Sequence, residues 1–541
     1  MISANARAES DTKASGYPMT VTGKVRERAS AARSDPSRDG AWTAGPPFGA
    51  MADWAMRVPW LWPALLTAIL GWYQLGRPEL WRDELASWSI ATRPVPDLIT
   101  TVRQVDANHL AYYLLLHYWI AAFGDSADAM RALSVLAMAG AAACVTLAGR
   151  RLAGTRAGLL AGLVFALVPS VSRFAQEIRS YALDVLVATL ATLLLLRALD
   201  QPAARRWAAY GVCLAALGYI NPVALATVTG HAAGVAMRWW QDRDNRLFWF
   251  VPAALAGLAA WLPLAVVSWH EESGQVGWIL RPGLNLTVFS FFIRNLFYST
   301  SVAAAFILLA ILAWAVDRRA AAFATAFAVL PVATVWLVSQ GPHAFFFPRY
   351  LLLTVAAWAM LAGVGLARVD VRVAAAVILA LAVFGAGDQQ VIRSPGAHNW
   401  AYYPVGTGVA YPDYAGAAAV IAREARAGDG IVYPAGGQEW LMIGPGVQYY
   451  LERDLGRGGL APHQLFLAGG VVQLHHLYPV FCKDPAACLG HDLRVWVVVS
   501  GDTRNPYEDV TSAQAAVLRS NYQPRHRQYV PGLTVFLLVR G

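Results

Sequence analysis

Charge is what this 541-residue sequence lacks. Only 14% of its residues are Asp, Glu, Lys or Arg, against about 25% in soluble globular proteins. Together with 57% hydrophobic residues and a mean hydropathy of +0.42, the shortage excludes a disordered chain and argues against an ordinary cytosolic enzyme. Cysteine is scarce as well, and four residues are too few for a disulfide-dense scaffold. No secretory leader is recognisable, because the polar stretch before the first apolar run is long and has no apolar core. No Gly-rich nucleotide fingerprint stands in a strand–turn–helix context. His343, His475 and His476 lack metal-ligand spacing, and no Ser-His-Asp or Cys-His arrangement stands out.

What is present is a series of long apolar runs punctuated by arginine, the pattern of a polytopic membrane protein. The 21 tryptophans fit, since Trp favours membrane–water interfaces. Net charge is +9. In such a chain that excess belongs in cytoplasmic loops, so nucleic-acid binding is not expected.

Residues 1–50 are polar, without apolar period, and read as a disordered cytoplasmic tail. Apolar segments follow at 60–76, 109–123, 130–149, 157–170, 182–199, 207–220, 222–237, 247–268, 301–316, 321–339, 348–367 and 373–387. Basic clusters stand at Arg150, Arg151 and Arg156; Arg197, Arg205 and Arg206; Arg238, Arg243 and Arg246; Arg318 and Arg319; and Arg368 and Arg372. All are cytoplasmic only if one early segment does not cross. The short, aromatic 109–123 is that segment, read as an interfacial helix on the outer face. The expectation is about eleven spans, with the N-terminus cytoplasmic and the C-terminus extracytoplasmic. The membrane domain covers 51–388. Residues 389–541 form an extracytoplasmic α/β domain, with helices over 415–427 and 511–522, strands at DGIVYP, LRVWVVVSGD and LTVFLLV, and a partly parallel sheet. Cys482 and Cys488 lie there and are read as a disulfide closing a short loop, or as two free thiols.

Three polar groups stand out at outer ends. Trp81-Arg82-Asp83-Glu84 follows the first apolar segment. Adjacent carboxylates at a bilayer edge carry a desolvation penalty unless water, a cation or function supports them. They read as a solvated turn, an ion site or a general base. The second is Arg173-Phe174-Ala175-Gln176-Glu177-Ile178-Arg179-Ser180-Tyr181. In a helix Arg173 and Glu177 face each other, giving either a structural ion pair or a wall around a charged ligand. The third is Pro348-Arg349-Tyr350, where the guanidinium either snorkels to headgroups or clamps a phosphate bidentately. Asn108-His109 opens the interfacial segment, as an interface hydrogen-bonder or a ligand contact.

The ordered set resembles the bacterial branch of the GT-C glycosyltransferases, in the protein-mannosyltransferase-like superfamily. It comprises an acidic pair after the first span, YYLLLHYW (112–119), QEIRSYAL (176–183) and PRYLL (348–352). One departure is Asn108-His109-Leu110-Ala111-Tyr112 where the family often has a His-Pro-Pro-Leu-Tyr-like run. The resemblance implies a membrane enzyme that takes a sugar, with mannose favoured, from a polyprenyl-phosphate carrier. The sugar passes with inversion to an extracytoplasmic lipid, cell-wall glycan or protein. It implies Asp83 as catalytic carboxylate, with Glu84 supporting it or binding a divalent cation. Arg349, Tyr350, Arg173, Glu177, Arg179, Tyr181 and His109 are the expected donor-site residues. No other cofactor is implied. A transporter or flippase, a lipid-linked oligosaccharide ligase and a non-catalytic scaffold are the alternatives.

Overall fold

A computed structural model describes residues 57–268, 277–397, 411–435, 439–456, 460–470 and 475–541. The tail expected over 1–50, and parts of the segments around 269–300 and 398–474, lie outside them. The described residues form one compact unit.

The first apolar segment is a short helix, α1 (Leu61–Trp72). Three helices at one end of the bundle follow it: α2 (Arg82–Ala91), α3 (Val95–Val105) and α4 (Leu110–Phe123). Then come α5 (Ala127–Ala153), α6 (Thr155–Leu167), α7 (Pro169–Ala175), α8 (Tyr181–Asp200), α9 (Ala204–Ile220), α10 (Thr227–Asp242) and α11 (Phe250–Ser268). The bundle ends with α12 (Leu286–Phe297), α13 (Thr300–Val316), α14 (Arg318–Val338), α15 (Val355–Leu366) and α16 (Val371–Val391). Six helices among the described residues are long and apolar enough to cross a membrane, or up to eight if two bent pairs each count once. The eleven spans expected from hydropathy are not reached by that measure. Several apolar runs fold as shorter helices, such as α1 and α9, and others bend, as α6 and α7 do by 66°. The chain is nonetheless a multi-pass membrane protein.

Small residues let these helices approach closely. A Cβ at Gly158 would collide with the backbone oxygen of Thr146, so α6 sits almost directly on α5. The arginine clusters gather at the far end of the bundle. There Arg151 pairs with Asp200 at 2.7 Å and Arg368 with Asp317 at 3.4 Å, and Arg156 donates to the Val369 carbonyl at 2.6 Å. Helix α4, the expected interfacial segment, buries Tyr112, Tyr113 and Leu116 and leaves Tyr118 and Phe123 exposed.

The C-terminal region adds α17 (Tyr414–Glu424), α18 (Ile443–Asp454) and α19 (Ser512–Asn521), with seven strands. These are β1 (Gly430–Val432), β2 (His463–Gln464), β3 (Leu467–Gly469), β4 (Val480–Phe481), β5 (Arg494–Ser500), β6 (Tyr522–Val530) and β7 (Leu533–Arg540). The main sheet runs β2-β1-β5-β7-β6. It is parallel across β2, β1 and β5 and antiparallel from β5 to β6, which matches the expected partly parallel sheet. Helix α18 and strand β6 had not been anticipated. The continuously apolar β5 is buried on both faces, as such a run requires. Its Val495, Val497 and Val499 pack with Leu518 of α19. Its Trp496 and Val498 belong to a cluster that also holds Leu80, Leu85 and Tyr112. The α/β region and helices α2–α4 therefore share one core. Cys482 and Cys488 are joined in a disulfide. Helix α16 runs three residues past the boundary expected at 388.

Candidate active site

The acidic pair opens α2, where carboxylates in the first turn suit the helix dipole. Glu84, at the third helical position, reaches back to accept from the Trp81 backbone N–H at 3.3 Å, as capping glutamates do. Its carboxylate is also held side-on by Arg131 of α5, through Nε at 2.9 Å and Nη2 at 2.8 Å, and by the Ile178 N–H at 3.0 Å. Arg131 donates further to the carbonyls of Leu75 and Pro78. Glu84 and Arg131 are both fully buried. The pair anchors the turn that carries Asp83.

Asp83 faces the other way, into a cavity of about 510 Å³. Its Oδ1 accepts from Arg82 Nε and its Oδ2 from Arg349 Nη1, each at 3.1 Å. Arg349 is held among rings, with its guanidinium carbon within 6.0 Å of the centroids of Trp81, Tyr181, Trp278, Phe347 and Tyr350. Such stacking favours a planar cation. Burial alone would raise the Asp83 carboxyl, but Arg349, Arg82 and Arg179 outweigh it and hold the group below its ordinary value.

A second carboxylate shares the cavity. Asp106 shares a 2.7 Å hydrogen bond between Oδ1 and His109 Nδ1 and accepts from the Tyr113 hydroxyl at 2.6 Å. Arg179 lies 3.8 Å from its Oδ2 and donates to Tyr113 at 3.0 Å. Burial pushes the Asp106 carboxyl up, and His109, Arg179 and the Tyr113 hydroxyl pull it further down. Three arginines and two aspartates line the cavity, an excess of positive charge that suits a phosphate-bearing ligand.

The cavity brings together Asp83, His109, Arg179, Arg349 and Tyr350 of the expected residues. It does not take in Glu84, Arg173, Glu177 or Tyr181. Arg173 Nη1 binds Glu177 Oε2 at 2.9 Å with both side chains almost wholly buried, and Trp81 Nε1 donates to Glu177 at 3.1 Å. The two side chains form a buried ion pair outside the cavity lining. Tyr181 lies beneath Arg349. The sequence reading missed Asp106, Tyr113, Arg131, Trp278 and the loop His476–Tyr478 that completes the wall. The Asp106, His109, Tyr113 spacing of three and four residues was a usable signal, as was a lone arginine at the end of an apolar run.

The donor set does not suit a divalent cation. Both Asp83 oxygens accept from arginine, both Glu84 oxygens are engaged, and no three His, Cys, Asp or Glu side chains converge among the described residues.

A family model described as dolichyl-phosphate-mannose-protein mannosyltransferase matches residues 109–269. No curated protein matches. Among solved structures, ArnT from Cupriavidus metallidurans bound to undecaprenyl phosphate is similar over 88% of this chain and 97% of its own, with TM-score 0.57 and 14% identity. The chain has the GT-C fold. Apo ArnT from the same organism gives the same TM-score and identity over 90% of this chain and 98% of its own. An Archaeoglobus fulgidus oligosaccharyltransferase tethered with an acceptor peptide covers 73% of this chain and 64% of its own, with TM-score 0.41 and 12% identity. Within the GT-C fold of this chain, Asp83, Arg349 and residues of the α/β region line one cavity.

Proposed function

We propose that this protein is an integral membrane glycosyltransferase that moves a sugar from a polyprenyl-phosphate carrier to an acceptor outside the cytoplasm. Mannose is the favoured sugar; the acceptor is a lipid, a cell-wall glycan or a protein. The observation that carries the reading is the Asp83 carboxylate facing a cavity rich in arginine. The undecaprenyl phosphate in the ArnT structure supports the carrier class. Exposed Leu280, Leu284 and Leu286, close in sequence to the cavity-lining Trp278, offer apolar surface for the carrier's tail. The arginine clusters at the far end support a cytoplasmic N-terminus, with the cavity and the α/β region outside.

In this reading the acceptor hydroxyl oxygen attacks the anomeric carbon. The bond from that carbon to the phosphate oxygen breaks, and the hydroxyl proton passes to Asp83. Polyprenyl phosphate leaves with the bonding electron pair. Base and leaving group lie on opposite faces of the sugar, so the anomeric configuration inverts. Arg349 and Arg179 neutralise the departing phosphate. Arg349 has a double role, because a guanidinium engaged by phosphate no longer depresses Asp83 as strongly. Donor binding thus makes the carboxylate a better base. Glu84 and Arg131 position the turn, and Arg173 stays with Glu177.

The test is transfer from a panel of radiolabelled polyprenyl-phosphate sugars by membranes carrying wild type or Asp83→Asn. Transfer by wild type alone, with product in a lipid, glycan or protein fraction, supports the reading and names the sugar. Normal transfer by Asp83→Asn removes the base. Activity only with multi-sugar donors points to an oligosaccharide ligase. Movement of donor across the bilayer without transfer points to a flippase.

A further inference from the structure

A second cavity of about 440 Å³ lies in the α/β region, between the end of β1, the start of α18 and the β2–β4 segment. That volume is in the range of small-ligand pockets, roughly 300–1,000 Å³. Its chemistry is opposite to that of the first cavity. Glu439 and Glu452 are the carboxylates among the described lining residues, His463 of the lining lies 3.3 Å from Asp492, and no arginine or lysine is present among the described lining residues. Tyr433, Tyr478 and Phe481 supply ring surface. Gln448 donates to Glu452 at 3.0 Å, placing an amide and a carboxylate side by side on the rim.

The two cavities share a wall. Leu477 and Tyr478 line both, while Met442 faces the Asp83 cavity and its neighbour Ile443 faces the second. Arg82, which binds Asp83, also lies over the Trp440 ring at 5.7 Å. The two cavities are therefore neighbours across that wall, with the second beside the one that holds Asp83.

We propose that this cavity is an acceptor subsite that binds an uncharged oligosaccharide portion of the acceptor. A pyranose or furanose ring offers a face of C–H groups to aromatic rings, whose faces are electron-rich. It also offers a rim of hydroxyls that donate to carboxylates and both donate to and accept from amides. The two carboxylates repel phosphorylated or acidic ligands, which the arginine-lined cavity attracts instead. This assignment rests on the glycosyltransferase reading for its role in catalysis, while the binding itself is measurable without turnover.

The experiment uses the full chain in nanodiscs and saturation-transfer NMR. The probes are short uncharged manno-, arabino-, galacto- and gluco-oligosaccharides, with mannose 6-phosphate as the anionic control. At least one neutral series binds wild type. Gln448→Trp, which projects bulk into the cavity from an exposed position, and Glu452→Gln each weaken it by roughly tenfold or more. Asp83→Asn binds it as wild type does. In transfer assays Gln448→Trp raises the acceptor KM and leaves the donor KM unchanged. Absence of binding by every neutral series, tighter binding of mannose 6-phosphate, or binding indifferent to both Gln448→Trp and Glu452→Gln overturns the proposal. Normal transfer by Asp83→Asn, with the oligosaccharide still bound, overturns the catalytic reading and leaves the subsite standing.

Discussion

Arg349 Nη1 donates to Asp83 Oδ2 at 3.1 Å, joining positions 266 residues apart in the chain. The contact brings the start of α2 to the turn before α15 and closes one side of the cavity. It also couples the protonation of Asp83 to whatever else engages Arg349. With Arg82 and Arg179, it makes Asp83 a weak base until a competing anion arrives.

The first prediction concerns that coupling. Asp83→Asn lowers kcat by roughly 10²–10⁴-fold, the usual worth of a positioned acid or base, with membrane insertion intact. Arg349→Gln raises the donor KM. It also removes a charge that depresses Asp83, so the acid limb of kcat/KM moves to higher pH. An unshifted limb together with an unchanged donor KM refutes the shared role of Arg349.

Glu84 and Arg131 have a structural part, which stability distinguishes from chemistry. Removing one partner of a buried ion pair costs about 3–5 kcal/mol. Arg131→Leu therefore lowers the unfolding midpoint in detergent, whereas Asp83→Asn does not lower it to a comparable degree. Equal midpoints for wild type and Arg131→Leu contradict the anchoring role.

Glu79 predicts a pH dependence of the junction between the bundle and the α/β region. Burial first, then the charge of Asp413, pushes its carboxyl from 4.5 up to about 8. The folded state therefore holds this proton more tightly than the unfolded one. The contribution to stability is fully present below pH 4.5 and declines as pH rises toward 8. Glu79→Gln flattens that slope. Thermal unfolding of both chains between pH 5 and 8.5 measures it, and parallel slopes refute it.

Metal removal is the fourth test. With both Asp83 oxygens held by arginine, transfer proceeds at the same rate after EDTA treatment. Loss of activity on chelation, restored by a divalent cation, contradicts the arginine-based account.

Much of this protein was legible before folding. Low charge and long apolar runs dictate a membrane bundle, since hydrocarbon accepts little else. The alternation after residue 388 predicts helices over 415–427 and 511–522, close to the observed Tyr414–Glu424 and Ser512–Asn521, and strands that correspond to β1, β5 and β7. Asp83 and Arg349 were visible because charge at the end of an apolar run is costly unless used.

Tertiary structure alone decided the rest. Asp83 and Glu84 are neighbours in sequence but point about 100° apart on a helix. Only the position of Arg131 determined that Glu84 turns inward while Asp83 meets the cavity. The partners of Arg173 and Arg179 were equally open, yet one closes on Glu177 and the other reaches Tyr113 beside Asp106. Periodicity reports which face of an element is buried. It does not report what lies opposite, and the wall that Leu477 and Tyr478 raise between the two cavities forms only when distant segments share one core.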